Sequence, residues 1–141
     1  RADLSAPQLA TDLIPIVGPD YVLTDAGSLM TYECDGATLY RATPHVVVLP
    51  RTTQEVSEIV KYANRIGAPF TARGAGTGLS GGAMALAGGI LIGLNRMNRI
   101  LELDIPNERA VVEPGVVNVW ITEAAAPHGY HSTGLCACCS R

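Results

Sequence analysis

The chain has 141 residues, of which 48% are hydrophobic and 5% aromatic, with 10 basic and 13 acidic side chains and a formal net charge of −3. This length is enough for one domain with a buried core, and the small acidic excess argues against a nucleic-acid partner. No segment reaches the roughly 20 apolar residues of a membrane-spanning helix, and no secretory signal is visible, so we expect a cytoplasmic protein. The missing initiator methionine predicts a chain processed or cut from a longer one.

The first predicted element is a helix over residues 4–17. Ser5 is its expected N-cap, apolar residues recur at helical spacing, and Gly18 follows as a stop signal. Residues 21–40 show no clear period, so we expect irregular surface backbone there. Within that segment, Asp35-Gly36 predicts a turn.

A strand–helix–strand unit follows. Residues 45–49 are a β-branched run that predicts a strand ended by Pro50. Thr52 and Glu55 have the spacing of a capping box and open a helix that Gly67 closes. Residues 68–72 predict the second strand of the unit.

The remaining elements are three strands and a helix. The strands are expected at 90–94, 100–104 and 110–113, and the helix at 116–126, with Trp120 as its core anchor. This order predicts an α+β fold in which the helices pack on one side of a small mixed sheet.

The most unusual segment is a glycine-rich loop after the second strand. Without a Cβ, successive backbone N–H groups can converge on an anion, so the segment predicts a phosphate or pyrophosphate site rather than a flexible linker. Its residues are Arg73, Gly74, Ala75, Gly76, Thr77, Gly78, Leu79, Ser80, Gly81 and Gly82.

Residues 76–81 also match the G-x-G-x-x-G pattern of Rossmann dinucleotide sites. That pattern requires a helix that begins within the loop, and the glycines at 81, 82, 88 and 89 disfavour a helix there. We therefore prefer a different nucleotide site. A P-loop is excluded because the loop has no lysine.

The chain divides into three predicted parts. Residues 1–40 are a helix and an irregular lead-in, residues 41–130 are the main domain, and residues 131–141 are an irregular or aberrant tail. The cysteines form no two-pair zinc pattern, since Cys34 stands alone and the other three crowd the tail at Cys136, Cys138 and Cys139.

Several segments together resemble a known family. The chain is similar to the PCMH-type FAD-binding domain of the vanillyl-alcohol oxidase/para-cresol methylhydroxylase superfamily, and within it to the glycolate oxidase and D-lactate dehydrogenase group of FAD-linked oxidases. The likeness runs from about residue 13 to residue 129. It is carried by the glycine-rich loop and by residues 32–36, 43–50, 111–116 and 126–129.

The resemblance implies how FAD is bound. Residues 73–80 would surround the pyrophosphate, Gly81 and Gly82 would continue the cradle, and Pro50 and Pro114-Gly115 would border the flavin site. Some relatives attach FAD through a histidine in this loop. Ala75 and Thr77 stand at the matching positions, so the resemblance implies noncovalent FAD.

The resemblance also implies an activity for the parent protein. Hydride would pass from the α-carbon of a 2-hydroxy acid to flavin N5, and electrons would leave to an iron–sulfur or other accepting subunit, which could hold the protein at the inner membrane. The family's second flavin subdomain and substrate cap have no counterpart here, so this first subdomain is expected to be inactive alone. A non-catalytic fragment that binds a nucleotide or a partner subunit is the alternative, and a Rossmann NAD(P)-dependent enzyme is a weaker one.

Overall fold

The computed structural model describes residues 5–36, 41–78, 80–85 and 89–132. Within these ranges no helix has both the length and the hydrophobicity to cross a bilayer. The described residues form four α-helices: α1 (Ala6–Val17), α2 (Ala26–Met30), α3 (Thr53–Ile66) and α4 (Asn118–Ala125). The same part of the chain contains six strands: β1 (Val22–Leu23), β2 (Val46–Val48), β3 (Phe70–Arg73), β4 (Ile90–Gly93), β5 (Ile100–Asp104) and β6 (Arg109–Val112). Short 3₁₀ turns cover Pro19–Tyr21 and Ala126–His128.

Helix α3 forms as its sequence predicts. The Thr52 side chain accepts a hydrogen bond from the Glu55 amide at 3.2 Å, and Gly67 ends the helix in the left-handed region at φ 67°. The Glu55 carboxylate accepts from the Arg51 amide at 2.7 Å, one residue before the partner that a capping box specifies. Both ends of the helix are therefore set by local sequence signals.

The strands form two sheets instead of the single one we expected. The larger has the order β1-β2-β4-β3, in which β1 is antiparallel to β2 and the other pairs are parallel. Strands β5 and β6 form a separate antiparallel hairpin with a register irregularity between Ile100 and Glu102. Because β4 lies between β2 and β3, the α3 crossover connects two strands that are not neighbours.

The core occupies both faces of the larger sheet. Side chains alternate across a strand, so Val46 and Val48 pack with α1 and α3, whereas Val47 packs on the opposite face near Leu29 of α2. The expectation that all helices cover one side is therefore wrong for α2. The fully buried members include Leu9, Leu13, Ile59, Ile90, Leu91 and Ile92.

Two further expectations are corrected. Residues 21–40 are not all irregular, since β1 pairs with β2 and α2 forms there. Asp25 is the N-cap of α2, and its carboxylate accepts from the Ser28 amide at 2.8 Å. Both elements are too short to show the repeating pattern of apolar residues from which a strand or a helix is predicted. Trp120 is 40% exposed and is not a core anchor, because α4 packs mainly through residues such as Ala125, which is buried.

Candidate functional site

The glycine-rich loop leaves the sheet at the carboxyl end of β3. Parallel strands β2 and β4 end at the same edge, so the segments that follow all three strands gather there. Gly76 and Gly81 have φ values of 73° and 76°, a region that residues with a Cβ adopt at a cost. These two positions explain why glycine is required within the loop.

No helix begins within the described part of the loop, because residues 80–85 contain only turns, bends and irregular backbone. A Rossmann site would need that helix between the strand before the loop and the next strand. The described residues between β3 and β4 contain no helix. The Rossmann alternative is therefore wrong.

Most of the loop backbone faces outward. Gly74, Ala75, Thr77 and Gly78 are exposed, and their amides donate no hydrogen bond to another described residue. A Cβ added at Gly78 or Gly82 would meet no atom within 4 Å. Exposed amides beside open space are the donors that an anion can reach.

Arg73 lies beneath the loop. Its guanidinium is buried, with the residue 8% exposed, and its Nη1 donates to the Cys34 carbonyl at 2.7 Å. The same group lies 5.5 Å from the centre of the Tyr32 ring, and a Cβ at Gly76 would overlap it. Arg73 therefore connects the loop to residues 32–34, and a phosphate contact stays a prediction.

Residues 35 and 36 also contact the loop, a role that sequence reasoning missed. The Asp35 carboxylate, in a residue 4% exposed, accepts from the Gly81 amide at 2.7 Å. The Gly36 amide donates to the Gly78 carbonyl at 3.0 Å. The sequence signals are the Asp-Gly pair, which predicts a turn, and the family resemblance of residues 32–36, and neither predicts a contact with the loop.

Pro114 and Gly115 lie beside the same edge. A Cβ at Gly74 would be 3.8 Å from the Pro114 carbonyl oxygen, so this proline borders the start of the loop. Gly115 packs on the turn after β4, and its amide donates to the Met97 carbonyl at 2.8 Å.

Pro50, which is also a predicted site residue, does not lie in the loop. Pro50 is fully buried and follows β2, two strand positions from β3, or about 10 Å by normal strand spacing. It therefore shapes this edge from within the core. Leu79 lies outside the described residues, as do the tail cysteines at 136, 138 and 139.

Glu113 anchors the Pro114-Gly115 segment. Its carboxylate accepts from the Arg99 backbone amide at 2.8 Å and from the Arg99 side chain at 2.7 and 3.1 Å. These hydrogen bonds, with the side-chain ones foremost, hold the pKa of the Glu113 carboxyl below its usual value. The ion pair thus fixes the residues that border the loop.

This pKa shift predicts an acid-dependent loss of stability. A carboxyl whose pKa is lower in the folded state contributes fully above its unfolded pKa, and the contribution fades as the pH falls through the folded value. We expect Glu113→Gln to lower the free energy of unfolding at pH 7. We also expect the free energy of unfolding of this variant to decrease less than that of the wild type as the pH is lowered from 7. Urea unfolding at several pH values measures both effects. Parallel pH profiles for the two proteins would contradict this role.

A groove of about 550 Å³ lies elsewhere, between the β5–β6 hairpin and α4. Its walls include Leu103, Asp104, Arg109, Ile121, Tyr130 and Ser132. None of the predicted site residues lines it.

The sequence and the fold define the class of protein. Residues 44–140 match the model of the FAD binding domain family, and the chain belongs to that family. FAD is thus the cofactor that the domain class implies. The family match is a comparison of sequence, so it is independent of the loop geometry and of where the predicted site residues lie.

The chain is also similar to individual proteins that have names. The chain is 41% identical to glycolate oxidase subunit GlcD of Escherichia coli K12 over 116 residues, which is 82% of this chain and 23% of that protein. It is 34% identical to D-2-hydroxyglutarate dehydrogenase of Stutzerimonas stutzeri over 128 residues, or 91% of this chain and 28% of that protein. The chain therefore spans about a quarter of the length of these relatives.

Solved structures share the fold. The 4-ethylphenol oxidase of Gulosibacter chungangensis superposes with a TM-score of 0.78 and 31% identity, over 91% of this chain and 26% of that one. p-Cresol methylhydroxylase superposes with a TM-score of 0.76 over 87% of this chain and 25% of that one, at 24% identity. The small mixed sheet with flanking helices therefore matches part of a PCMH-type FAD-binding domain, as the sequence predicts.

Proposed function

We propose that residues 73–82 hold the diphosphate of FAD in a flavin-dependent oxidoreductase that acts on 2-hydroxy acids. The observation that carries this proposal is the exposed backbone of the loop, whose amides at Gly74, Ala75, Thr77 and Gly78 have no acceptor among the described residues. The space beside Gly78 and Gly82 is open, so the residues present fit a diphosphate.

The residues around the loop have supporting roles in this proposal. Arg73 supports the loop from below and adds a positive charge near the diphosphate. Pro114 and Gly115 border the cofactor at the start of the loop, and Pro50 shapes the edge of the sheet from the core. When bound, FAD supplies the hydride acceptor, and the chain binds and orients it.

The side chains in the loop support noncovalent attachment. The described loop residues include no histidine or cysteine, and neither Ala75 nor Thr77 has the imidazole through which some relatives attach FAD. We therefore expect acid precipitation of the loaded protein to release all of its FAD. Flavin that stays in the pellet would contradict this assignment.

The substrate and partners are proposed from the relatives. The names of the glycolate and D-2-hydroxyglutarate enzymes share a 2-hydroxy acid substrate, and one of them is a subunit of a larger oxidase. We propose the same substrate class for the parent protein, with an electron-accepting partner subunit and a location in the cytoplasm. Purified with excess FAD, the chain itself should not oxidise glycolate or D-lactate.

A ligand series tests whether the loop recognises the diphosphate. We expect saturable FAD binding in the micromolar range, followed by flavin fluorescence anisotropy. ADP should compete because it carries the diphosphate, whereas riboflavin should not. Competition by riboflavin alone, or no FAD binding, would favour the alternative of a non-catalytic fragment with another partner.

The variant Gly76→Ala tests the loop by the same FAD titration. Its new Cβ would overlap the Arg73 guanidinium, at a residue with φ 73°, and we expect FAD affinity to fall about tenfold or more, the effect of roughly 1.4 kcal/mol. Gly67→Ala is the control, since Gly67 has φ 67° but nothing within 4 Å of an added Cβ. Both variants carry the backbone strain of about 1–2 kcal/mol, so only Gly76→Ala should change FAD affinity.

A further inference from the structure

Residues 34–36 lie directly against the glycine-rich loop although they are about 40 residues away in sequence. Three hydrogen bonds join the two segments: Arg73 to the Cys34 carbonyl, Gly36 to the Gly78 carbonyl, and Gly81 to the Asp35 carboxylate. They reach the beginning, middle and end of the loop. The contact therefore spans the whole segment that we assign to the diphosphate.

Asp35 accepts a hydrogen bond from one of the amides that we predict to surround the diphosphate. The Gly81 N–H points to the Asp35 carboxylate at 2.7 Å, so in this conformation it does not face a ligand. A hydrogen bond to a buried carboxylate is stronger than one between neutral groups. Asp35 thus holds the end of the loop where Gly81 adopts its positive φ of 76°.

Gly36 determines which way the middle of the loop faces. A Cβ on Gly36 would lie 2.8 Å from the Thr77 carbonyl oxygen, so that carbonyl faces residue 36. In a trans peptide the N–H points opposite to the C=O, and the Gly78 N–H therefore points away from residue 36, toward the exposed side of the loop.

We propose that residues 34–36 are a template that orients the loop, with Asp35 as a positioning residue. The template turns the Thr77 and Gly78 carbonyls inward and fixes the Gly81 amide, which leaves the Gly78 amide directed outward. Its relevance to FAD rests on the proposed function, whereas its effect on loop order does not.

Amide hydrogen exchange measured by NMR on the ligand-free chain tests the template. We expect Asp35→Ala to raise the exchange rate of the Gly81 amide about tenfold or more, with the core amides of Val47 and Leu91 unchanged. Asp35→Asn keeps an oxygen acceptor and should restore most of the protection. Gly36→Ala should raise exchange at the residue 36 amide, which donates to the Gly78 carbonyl, and at the Gly81 amide, because the new Cβ meets the loop backbone.

The controls are Asp20→Ala and Gly27→Ala, which change the same residue types away from the loop. Unchanged Gly81 exchange in Asp35→Ala contradicts the template, and so does an increase shared equally by the core amides. If Asp35→Ala does not fold, Gly36→Ala is the deciding variant. Faster exchange confined to the amides of residue 36 and Gly81 supports the template, and wild-type rates at both amides overturn it.

A second measurement separates this inference from cofactor binding. If the loop binds FAD, Asp35→Ala should weaken FAD binding about tenfold and Asp35→Asn much less. If no variant binds FAD but the exchange pattern holds, the proposed function fails and the template stands. If FAD binds equally to all variants and Gly81 exchange is unchanged, the template fails alone.

Discussion

Gly115→Ala is expected to lower the free energy of unfolding by about 3 kcal/mol or more, because the new methyl group has no room. Its Cβ would overlap the Leu94 carbonyl oxygen and lie 2.8 Å from the Met97 carbonyl oxygen and 3.0 Å from the Asn95 Cα. All three are backbone atoms of the turn after β4, which a side-chain rotation cannot relieve. The turn or the Gly115 segment must therefore move.

Urea unfolding followed by circular dichroism measures this loss. Gly27→Ala is the control, since a Cβ there would make an ordinary contact of 3.4 Å with the Asp25 carboxylate and alanine favours a helix. We expect the control to keep or raise the unfolding midpoint. Equal midpoints for Gly115→Ala and the wild type would mean that the close packing of Gly115 against the turn is incorrect.

Arg73→Ala is expected to reduce both stability and FAD affinity. It leaves the Cys34 carbonyl without its donor at 2.7 Å and removes the contact with the Tyr32 ring. Leaving this part-buried carbonyl without a partner costs at most about 1–3 kcal/mol, the penalty of a buried group, and losing the cation–π contact costs about 0.5–1 kcal/mol. Because the same group supports Gly76 from below, we expect FAD affinity to fall more than about tenfold.

Arg96→Ala is a matched control for this variant. Arg96 also donates to a backbone carbonyl at 2.7 Å, that of Leu49, and lies over a tyrosine ring, that of Tyr21, at 3.3 Å. We expect a similar loss of stability in urea without a change in FAD affinity. Equal FAD losses in both variants would show that Arg73 acts only through overall stability.

Arg73→Lys separates the two roles of Arg73. A lysine keeps the positive charge but lacks the planar guanidinium that bonds the carbonyl and stacks on the ring. If Arg73 acts by holding the loop, Arg73→Lys should bind FAD nearly as weakly as Arg73→Ala. Affinity close to that of the wild type would instead support direct charge contact with the diphosphate.

Much of the fold could be predicted because its signals are local. The capping residue Thr52 and the stop at Gly67 mark α3 within its own segment, and the β-branched run at 45–49 marks β2. The elements that were missed, β1 and α2, are two and five residues long, too short for a period. The exposure of Trp120 could not be predicted, since helix hydrophobicity alone does not identify the face that packs.

The sequence by itself determined the chemistry of the candidate site: a glycine-rich segment after a strand, no histidine among its residues and a family resemblance that names FAD. Only the tertiary structure decided that β4 lies between β2 and β3, that Arg73 lies under the loop and that Asp35 takes the Gly81 amide. The contacts of Arg73 and Asp35 join residues 39 and 46 positions apart, and the strand order depends on the pairing of β4 with both β2 and β3. Local composition carries no information about such pairings, because they form only when packing of the sheet brings distant segments together.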